Sequence, residues 1–145
     1  MKTQESVKIN APINKVFEYI TEPDKQKLWV DGLVHTEYYS KNGENNPIGS
    51  QFKQRLIKGH KKTTYEFQGE ILDYNKPNKY AIKINGNDFT AEIRYHLEEI
   101  DGQTQLNSET VMEFQGNFFA RFIGRMAAHH NKQDMKKLIT IAEKV

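Results

Sequence analysis

The sequence contains no cysteine and no long hydrophobic run. Without cysteine the chain has no disulfide, no thiolate ligand for zinc or an iron–sulfur cluster, and no thiol nucleophile. No apolar stretch approaches the roughly 18 residues that a membrane-spanning helix needs, and the N-terminus lacks the apolar segment of a signal peptide. These features predict a cytoplasmic protein.

The sequence also has little net charge. Lys and Arg total 21 and Asp and Glu total 19, so the formal net charge of +2 gives no reason to expect a nucleic-acid partner. The most basic stretch is residues 53–62, where Lys53, Arg55 and Ile57 are expected to point outward from a strand. That face lacks interleaved aromatic residues, which favours a solvated hairpin over a nucleic-acid surface.

The short motifs of common catalytic and cofactor sites are missing as well. HExxH, GxSxG, GxGxxG and the P-loop do not occur. The histidines have no metal-ligand spacing; they are His35, His60, His96, His129 and His130. The sequence therefore predicts neither a metal nor a cofactor.

The N-terminal part of the 145-residue chain predicts one strand and two helices. Alternating apolar residues over 7–9 indicate a short strand. Asn10 is expected to cap a helix with Pro12 in its first turn, and apolar residues at helical spacing follow over 13–20. A second, short helix is expected over 21–29.

From Gly32 to about Gln115 the pattern predicts only strands, in six segments separated by turn signals. If Asp101-Gly102 is a two-residue turn, one mostly apolar face forms between the two flanking strands. The facing pairs are Leu97–Leu106, Tyr95–Ser108, Ile93–Thr110, Ala91–Met112 and Phe89–Phe114. The segments therefore predict an antiparallel sheet with one buried and one exposed face.

The same reasoning predicts two further hairpins. A two-residue turn at Asn85-Gly86 places Ile82 opposite Phe89 and Tyr80 opposite Ala91. A turn at Gly59-His60 gives a second set of facing pairs. They are Phe52–Phe67, Gln54–Tyr65 and Leu56–Thr63.

The last segment, from Asn117 to about Lys144, predicts a long helix that lies across the buried face of the sheet. One stripe of this helix is small in its first half and bulky in its second. Its members are Ala120, Ile123, Gly124, Ala127, Asn131, Asp134, Met135, Leu138, Ile141, Ala142 and Val145. The small residues either leave a void above the sheet or let the two backbones approach closely.

The order of strand, two helices, six strands and long helix resembles the START-like (SRPBCC) helix-grip superfamily, and within it the polyketide cyclase/dehydrase type. Short segments in a fixed order over nearly the whole chain carry the resemblance: residues 7–12 with Val16-Phe17, Trp29, residues 47–52, residues 72–77 and the final helix. It implies one α+β domain over residues 1–145. In this fold a curved antiparallel sheet wraps around the long C-terminal helix and encloses a hydrophobic cavity. The superfamily contains ligand carriers, cyclases, hydrolases and chaperone activators, so the fold does not choose a chemistry.

An apolar cavity with a few polar groups is typical of a small-molecule site. The candidate ligand-binding residues point inward from the sheet or from the helix stripe. They are Gln54, Tyr65, Tyr80, Phe89, Tyr95, Ser108, Thr110, Met112, Ile123, Ala127 and Asn131. The expected ligand is a small hydrophobic or aromatic molecule, lipid- or polyketide-like. Alternatively, the inward hydroxyl groups only satisfy one another or the backbone.

An enzyme of the cyclase/dehydratase type in the same cavity is the alternative function. Asp134 and Tyr95 are the candidate catalytic residues, because a buried carboxylate can act as a general base and a phenol can donate to a carbonyl. No nucleophile–base pair is visible. Such an enzyme would work without a covalent nucleophile or a metal, by holding a reactive chain in one conformation.

A second apolar strip on the long helix consists of Phe118, Phe122 and Met126, beside Arg121 and Arg125. Such a strip can make a transient contact with a membrane or a partner protein. The chain would then be an interaction module such as a chaperone activator. Alternatively, loops near the start of the helix cover the strip.

Overall fold

The structure is a computed structural model that describes residues 2–40, 47–86, 89–114 and 132–144. Its elements are, in chain order, β1 (Lys2–Ile9), α1 (Ile13–Thr21), α2 (Pro23–Gln26), β2 (Leu33–Ser40), β3 (Gln51–Lys58), β4 (Thr63–Asn75), β5 (Lys79–Asn85), β6 (Phe89–Ile100), β7 (Gln103–Phe114) and the helix α3 (residues 132–142). The described strands form one curved antiparallel sheet in the order β1-β7-β6-β5-β4-β3-β2. The predicted α+β class with an antiparallel sheet and a C-terminal helix is confirmed. Within the described ranges, no helix combines the length and apolarity needed to cross a membrane.

The start of α1 differs from the prediction, because Asn10 does not cap it. Pro12 occupies the N-cap position with an extended backbone (φ −62°, ψ 146°) and no side-chain cap. The backbone N–H of Asn10 donates instead to Oε2 of Glu143, 2.8 Å away. This bond ties the end of β1 to the chain just after α3.

The α1 helix buries the face that its spacing predicts. The buried residues are Val16, Phe17 and Ile20. The second helix is shorter than predicted, since it ends at Gln26 and a turn follows. The indole Nε1 of Trp29 donates to the carbonyl oxygen of Tyr19 at 2.7 Å, which fixes the ring beside α1.

The β6–β7 hairpin has the predicted register. All five predicted pairs occur, from Leu97–Leu106 to Phe89–Phe114. Asp101 and Gly102 both have positive φ values, 52° and 80°. A two-residue turn of this hand requires them, and Asp-Gly is one of the pairs that tolerates them.

The register between β5 and β6 differs from the prediction. Tyr80 faces Tyr95 instead of Ala91, and Ile82 faces Ile93 instead of Phe89. The last pair between the two strands is Asn85 with Thr90. The connection between the paired residues is therefore longer than the predicted two-residue turn at Asn85-Gly86. The displacement is an even number of residues, so every side chain keeps its predicted face.

The register between β3 and β4 differs for the same reason. The last pair is Lys58 with Thr63, so the connection exceeds two residues. Phe52 therefore faces Gly69 instead of Phe67. A Cβ atom at Gly69 would lie 2.3 Å from Cζ of Phe52, so the glycine makes room for this ring. The even displacement again leaves the faces as predicted.

Exposure along β3 confirms the predicted orientation of the basic hairpin. Lys53, Arg55 and Ile57 are exposed, whereas Phe52 and Leu56 are buried. The guanidinium of Arg55 lies 3.7 Å from the carboxylate of Glu66 across the outer face.

The core lies between the inner face of the sheet and the helices α1 and α3. Met135, Leu138 and Ala142 of α3 are buried in it, and Ile141 packs against it. The bulky half of the predicted helix stripe therefore contacts the sheet. The buried hydroxyl of Thr104 donates to the carbonyl oxygen of Ala11 at 2.8 Å.

Candidate ligand-binding cavity

A cavity of about 100 Å³ lies between the inner face of the sheet, the segment around α2 and the α3 residues Asp134 and Met135. Its described walls are mostly apolar: Ile20, Trp29, Val30, Ile82, Ile84, Ile93 and Met135. Engineered apolar cavities of roughly 150 Å³ accept benzene, so a ring-sized ligand would enter this smaller cavity only if side chains in its wall moved.

Six of the predicted site residues line this cavity. They are Gln54, Tyr80, Tyr95, Ser108, Thr110 and Asp134. They come from β3, β5, β6, β7 and α3, and period-two alternation sends each strand residue to the inner face. An apolar wall with a few convergent polar groups is the usual make-up of a small-molecule site.

Three other predicted residues lie on the same face of the sheet but away from this cavity. Tyr65 faces Leu56 and stays 44% exposed, with its ring stacked on Phe67 at 6.2 Å. Phe89 packs edge-on against Phe67 at 5.3 Å. Met112 faces Ala91 near the end of β7.

The remaining candidates lie outside the described residues. They are the ligand-binding candidates Ile123, Ala127 and Asn131 and the surface strip of Phe118, Phe122 and Met126. Their roles stay predictions from the sequence.

Tyr80 and Tyr95 stack on neighbouring strands at one wall of the cavity. Their ring centroids are 6.3 Å apart and the rings are inclined by 18°. Burial raises the pKa of both phenols, and the negative charge of Asp134 raises the pKa of Tyr95 further. Both hydroxyl groups therefore remain protonated at neutral pH.

The hydroxyl of Tyr80 joins Gln26 to Tyr38. Burial raises the pKa of both tyrosines. Their mutual hydrogen bond raises the pKa of Tyr80 and lowers that of Tyr38. A hydrogen bond with Gln26 lowers the pKa of Tyr80, as expected when an amide N–H donates to the phenol oxygen.

Asp134 is the acidic residue among the described lining residues. Burial raises the pKa of its carboxyl group, and the hydrogen bond from the backbone N–H of Asp31 (3.2 Å) and the charge of Lys58 oppose that rise. Lys137 lies 3.9 Å from the Asp31 carboxylate. Asp134 therefore has two roles: it accepts a hydrogen bond from the backbone of Asp31 and presents a carboxyl group to the cavity.

The other described lining residues were not among the predicted site residues: Ile20, Gln26, Trp29, Val30, Ile82, Ile84, Ile93 and Met135. Of these, Gln26, Trp29 and Val30 belong to α2 and the turn after it. A four-residue helix has no periodicity from which an inward face could be deduced. The only available signal was the single tryptophan, which predicted the end of the helix pair and not a cavity wall.

A wider, open depression of about 520 Å³ lies on the other side of the sheet. In its wall, Nε2 of Gln4 donates to Oε2 of Glu109 at 3.2 Å, and Nζ of Lys2 lies 3.6 Å from the same oxygen. Within the described ranges, no group of three or more His, Asp or Glu side chains could hold a metal ion. The interior cavity therefore remains the better candidate site.

The fold, with its interior cavity beneath a C-terminal helix, is that of a START-like helix-grip protein. The chain belongs to the family described as polyketide cyclase / dehydrase and lipid transport, whose model matches residues 1–144. This confirms the predicted family. No curated protein matches the sequence.

Solved structures share the fold at low sequence identity. A START superfamily protein from Mycobacterium smegmatis superposes with a TM-score of 0.81 at 12% identity, over 98% of this chain and 97% of that chain. A conserved protein from Geobacillus kaustophilus has a TM-score of 0.78 at 22% identity, over 98% and 95%. The di-domain ARO/CYC StfQ from the steffimycin biosynthetic pathway has a TM-score of 0.74 at 11% identity, over 97% of this chain and 44% of that chain. These likenesses show the fold alone.

Proposed function

We propose that this protein is a small cytoplasmic binding protein for a compact hydrophobic or aromatic molecule, lipid- or polyketide-like. The observation that carries the proposal is the apolar cavity of about 100 Å³ between the sheet and the C-terminal helix, with a few polar groups in its wall. The family description, which joins cyclase/dehydrase activity with lipid transport, supports a hydrophobic ligand.

A cavity-filling variant tests the location. Ser108 lies in the cavity wall, whereas its neighbour Asn107 is exposed on the outer face and bonds to Ser6. Ser108→Phe should abolish the binding of toluene, followed through the fluorescence of Trp29 and by NMR. Asn107→Phe places the same ring on the same strand and should leave binding unchanged.

Circular dichroism and urea denaturation would establish that both variants are folded. Full toluene binding by folded Ser108→Phe would refute this location for the site. Native mass spectrometry of the protein purified from its own host would then name the ligand class, because a retained small molecule adds its mass to that of the protein.

A second candidate function is an enzyme of the cyclase/dehydratase type. Asp134 and Tyr95 favour it, because both line the cavity and the charge of the carboxylate raises the pKa of the phenol. A carboxyl group and a protonated phenol that both face one ligand can act as a general base and a hydrogen-bond donor. Turnover of an aromatic polyketide-like substrate should then be lost in Asp134→Asn while binding remains. Binding without turnover across a broad substrate panel would contradict this candidate.

A further inference from the structure

Gln26 places a buried amide in the wall of the cavity. The residue is only 6% exposed. Its Nε2 donates to the carbonyl oxygen of Ile20 at 2.7 Å, and its bond with Tyr80 takes a second N–H. Both hydrogens of the amide nitrogen are therefore used.

These two bonds also fix the orientation of the amide group. If the oxygen and nitrogen were exchanged, the oxygen would face the carbonyl oxygen of Ile20, and two acceptors would be in contact.

Oε1 of Gln26 consequently has no hydrogen-bond partner among the described residues. Leaving a buried acceptor without a hydrogen bond is unfavourable. Thr36 Oγ1 is also unsatisfied within the described part of the chain, but Thr36 is not among the residues that line the cavity. The unsatisfied oxygen of Gln26 is thus the one in the cavity wall.

The charges around the cavity bear on the kind of ligand. No Lys, Arg or His occurs among its described lining residues, and the acidic one is Asp134. Lys58 and Lys137 act on Asp134, but neither lines the cavity. Among the described lining residues, an anionic ligand would meet an amide oxygen and a carboxyl group and no cation, which is unfavourable in a buried site.

We infer that the cavity selects a neutral ligand with a hydroxyl or N–H group on an apolar body, and that Oε1 of Gln26 accepts the hydrogen bond from that group. This inference rests on the proposed function. It goes further, because it names the chemical class of the ligand and the residue that selects it. A molecule of the same shape without the donor leaves Oε1 unsatisfied.

Phenol and toluene test the inference, since they have nearly the same shape and differ in one hydroxyl group. Affinities would be measured by NMR titration and Trp29 fluorescence for the wild type, Gln26→Met and the control Gln51→Met, which removes an exposed amide that does not line the cavity. The ratio of phenol affinity to toluene affinity should fall by about tenfold or more in Gln26→Met, since only phenol loses a partner. It should be unchanged in Gln51→Met, and benzoate should bind the wild type more weakly than phenol.

A ratio that stays within twofold of the wild-type value in Gln26→Met would overturn the inference, and so would tighter binding of benzoate than of phenol. Toluene separates the two proposals, because its binding requires the cavity and not the acceptor. If toluene does not bind the wild type, the proposed function fails and this inference fails with it.

The wild type alone gives a second readout if Gln26→Met does not fold. The ¹³Cδ resonance of the Gln26 side chain, in protein labelled at glutamine, should shift on addition of phenol and much less on addition of toluene. Equal shifts with both molecules would overturn the inference.

Discussion

The hydroxyl groups of Tyr80 and Tyr38 are hydrogen-bonded to each other. The two residues belong to β5 and β2, which are separated in the sheet by β4 and β3. The bond therefore crosses the inner face of the curved sheet. Because Tyr80 also accepts from Gln26, one buried hydroxyl connects the sheet with the segment around α2.

Tyr80→Phe should destabilise the protein by about 1–3 kcal/mol, because a buried amide N–H and a phenol each lose a partner. Urea denaturation measures the free energy of unfolding. Tyr39→Phe is the control, since Tyr39 is 50% exposed, and it should change the stability by less than about 0.5 kcal/mol. Equal effects of the two substitutions would contradict the proposed connection.

Gly69→Ala should destabilise the sheet by about 1–3 kcal/mol through overpacking. The added Cβ would lie 2.3 Å from Cζ of Phe52, whose ring is buried, so the ring would have to move. Thermal unfolding measures the effect. In a Phe52→Leu background the same substitution should be less unfavourable, because the smaller side chain leaves room. An undiminished effect in that background would show that contact with the ring is not the cause.

Part of this fold could be predicted because it depends on local chemistry. The Asp101-Gly102 turn determines which residues of β6 and β7 face each other, so the Leu97–Leu106 pair followed from the sequence. Asn85-Gly86 is an equally favourable turn dipeptide, but the last pair between β5 and β6 is Asn85 with Thr90, so the two-residue turn does not form there. The Tyr80–Tyr95 pair was therefore missed.

The candidate site could be predicted in part for a related reason. Whether a strand side chain points inward depends only on whether its position is odd or even, so Gln54, Ser108 and Thr110 were placed in the cavity wall despite the register errors. Gln26 could not be predicted. Its burial depends on how the segment around α2 folds over the sheet, and that is a tertiary contact without a sequence pattern.

Leu138→Ala should destabilise the protein by about 2–5 kcal/mol, because the side chain is fully buried where α3 packs on the sheet. Chemical denaturation monitored by circular dichroism measures the loss. Lys136→Ala, at an exposed position of the same helix, should cost less than about 0.5 kcal/mol. If the two variants were equally stable, the packing of α3 on the sheet would contribute little to the fold.

The last prediction concerns the pH dependence of stability. Burial raises the pKa of the Asp134 carboxyl group in the folded protein above its ordinary value of about 4. The folded state therefore holds this proton more tightly than the unfolded chain does. At pH values between the pKa of Asp134 in the unfolded chain and its higher pKa in the folded protein, the contribution of Asp134 to stability falls as the pH rises.

Asp134→Asn removes this titration and keeps an oxygen that can accept the N–H of Asp31. The free energy of unfolding of the wild type should therefore decrease, relative to the variant, as the pH rises from about 4 toward neutrality. Urea denaturation at several pH values measures the difference. Asp24→Asn is the control, because the side chain of Asp24 is 99% exposed, and it should show no such trend. A wild type that gains stability relative to Asp134→Asn over this range would mean that the attraction of Lys58 and Lys137 outweighs the burial of the carboxylate.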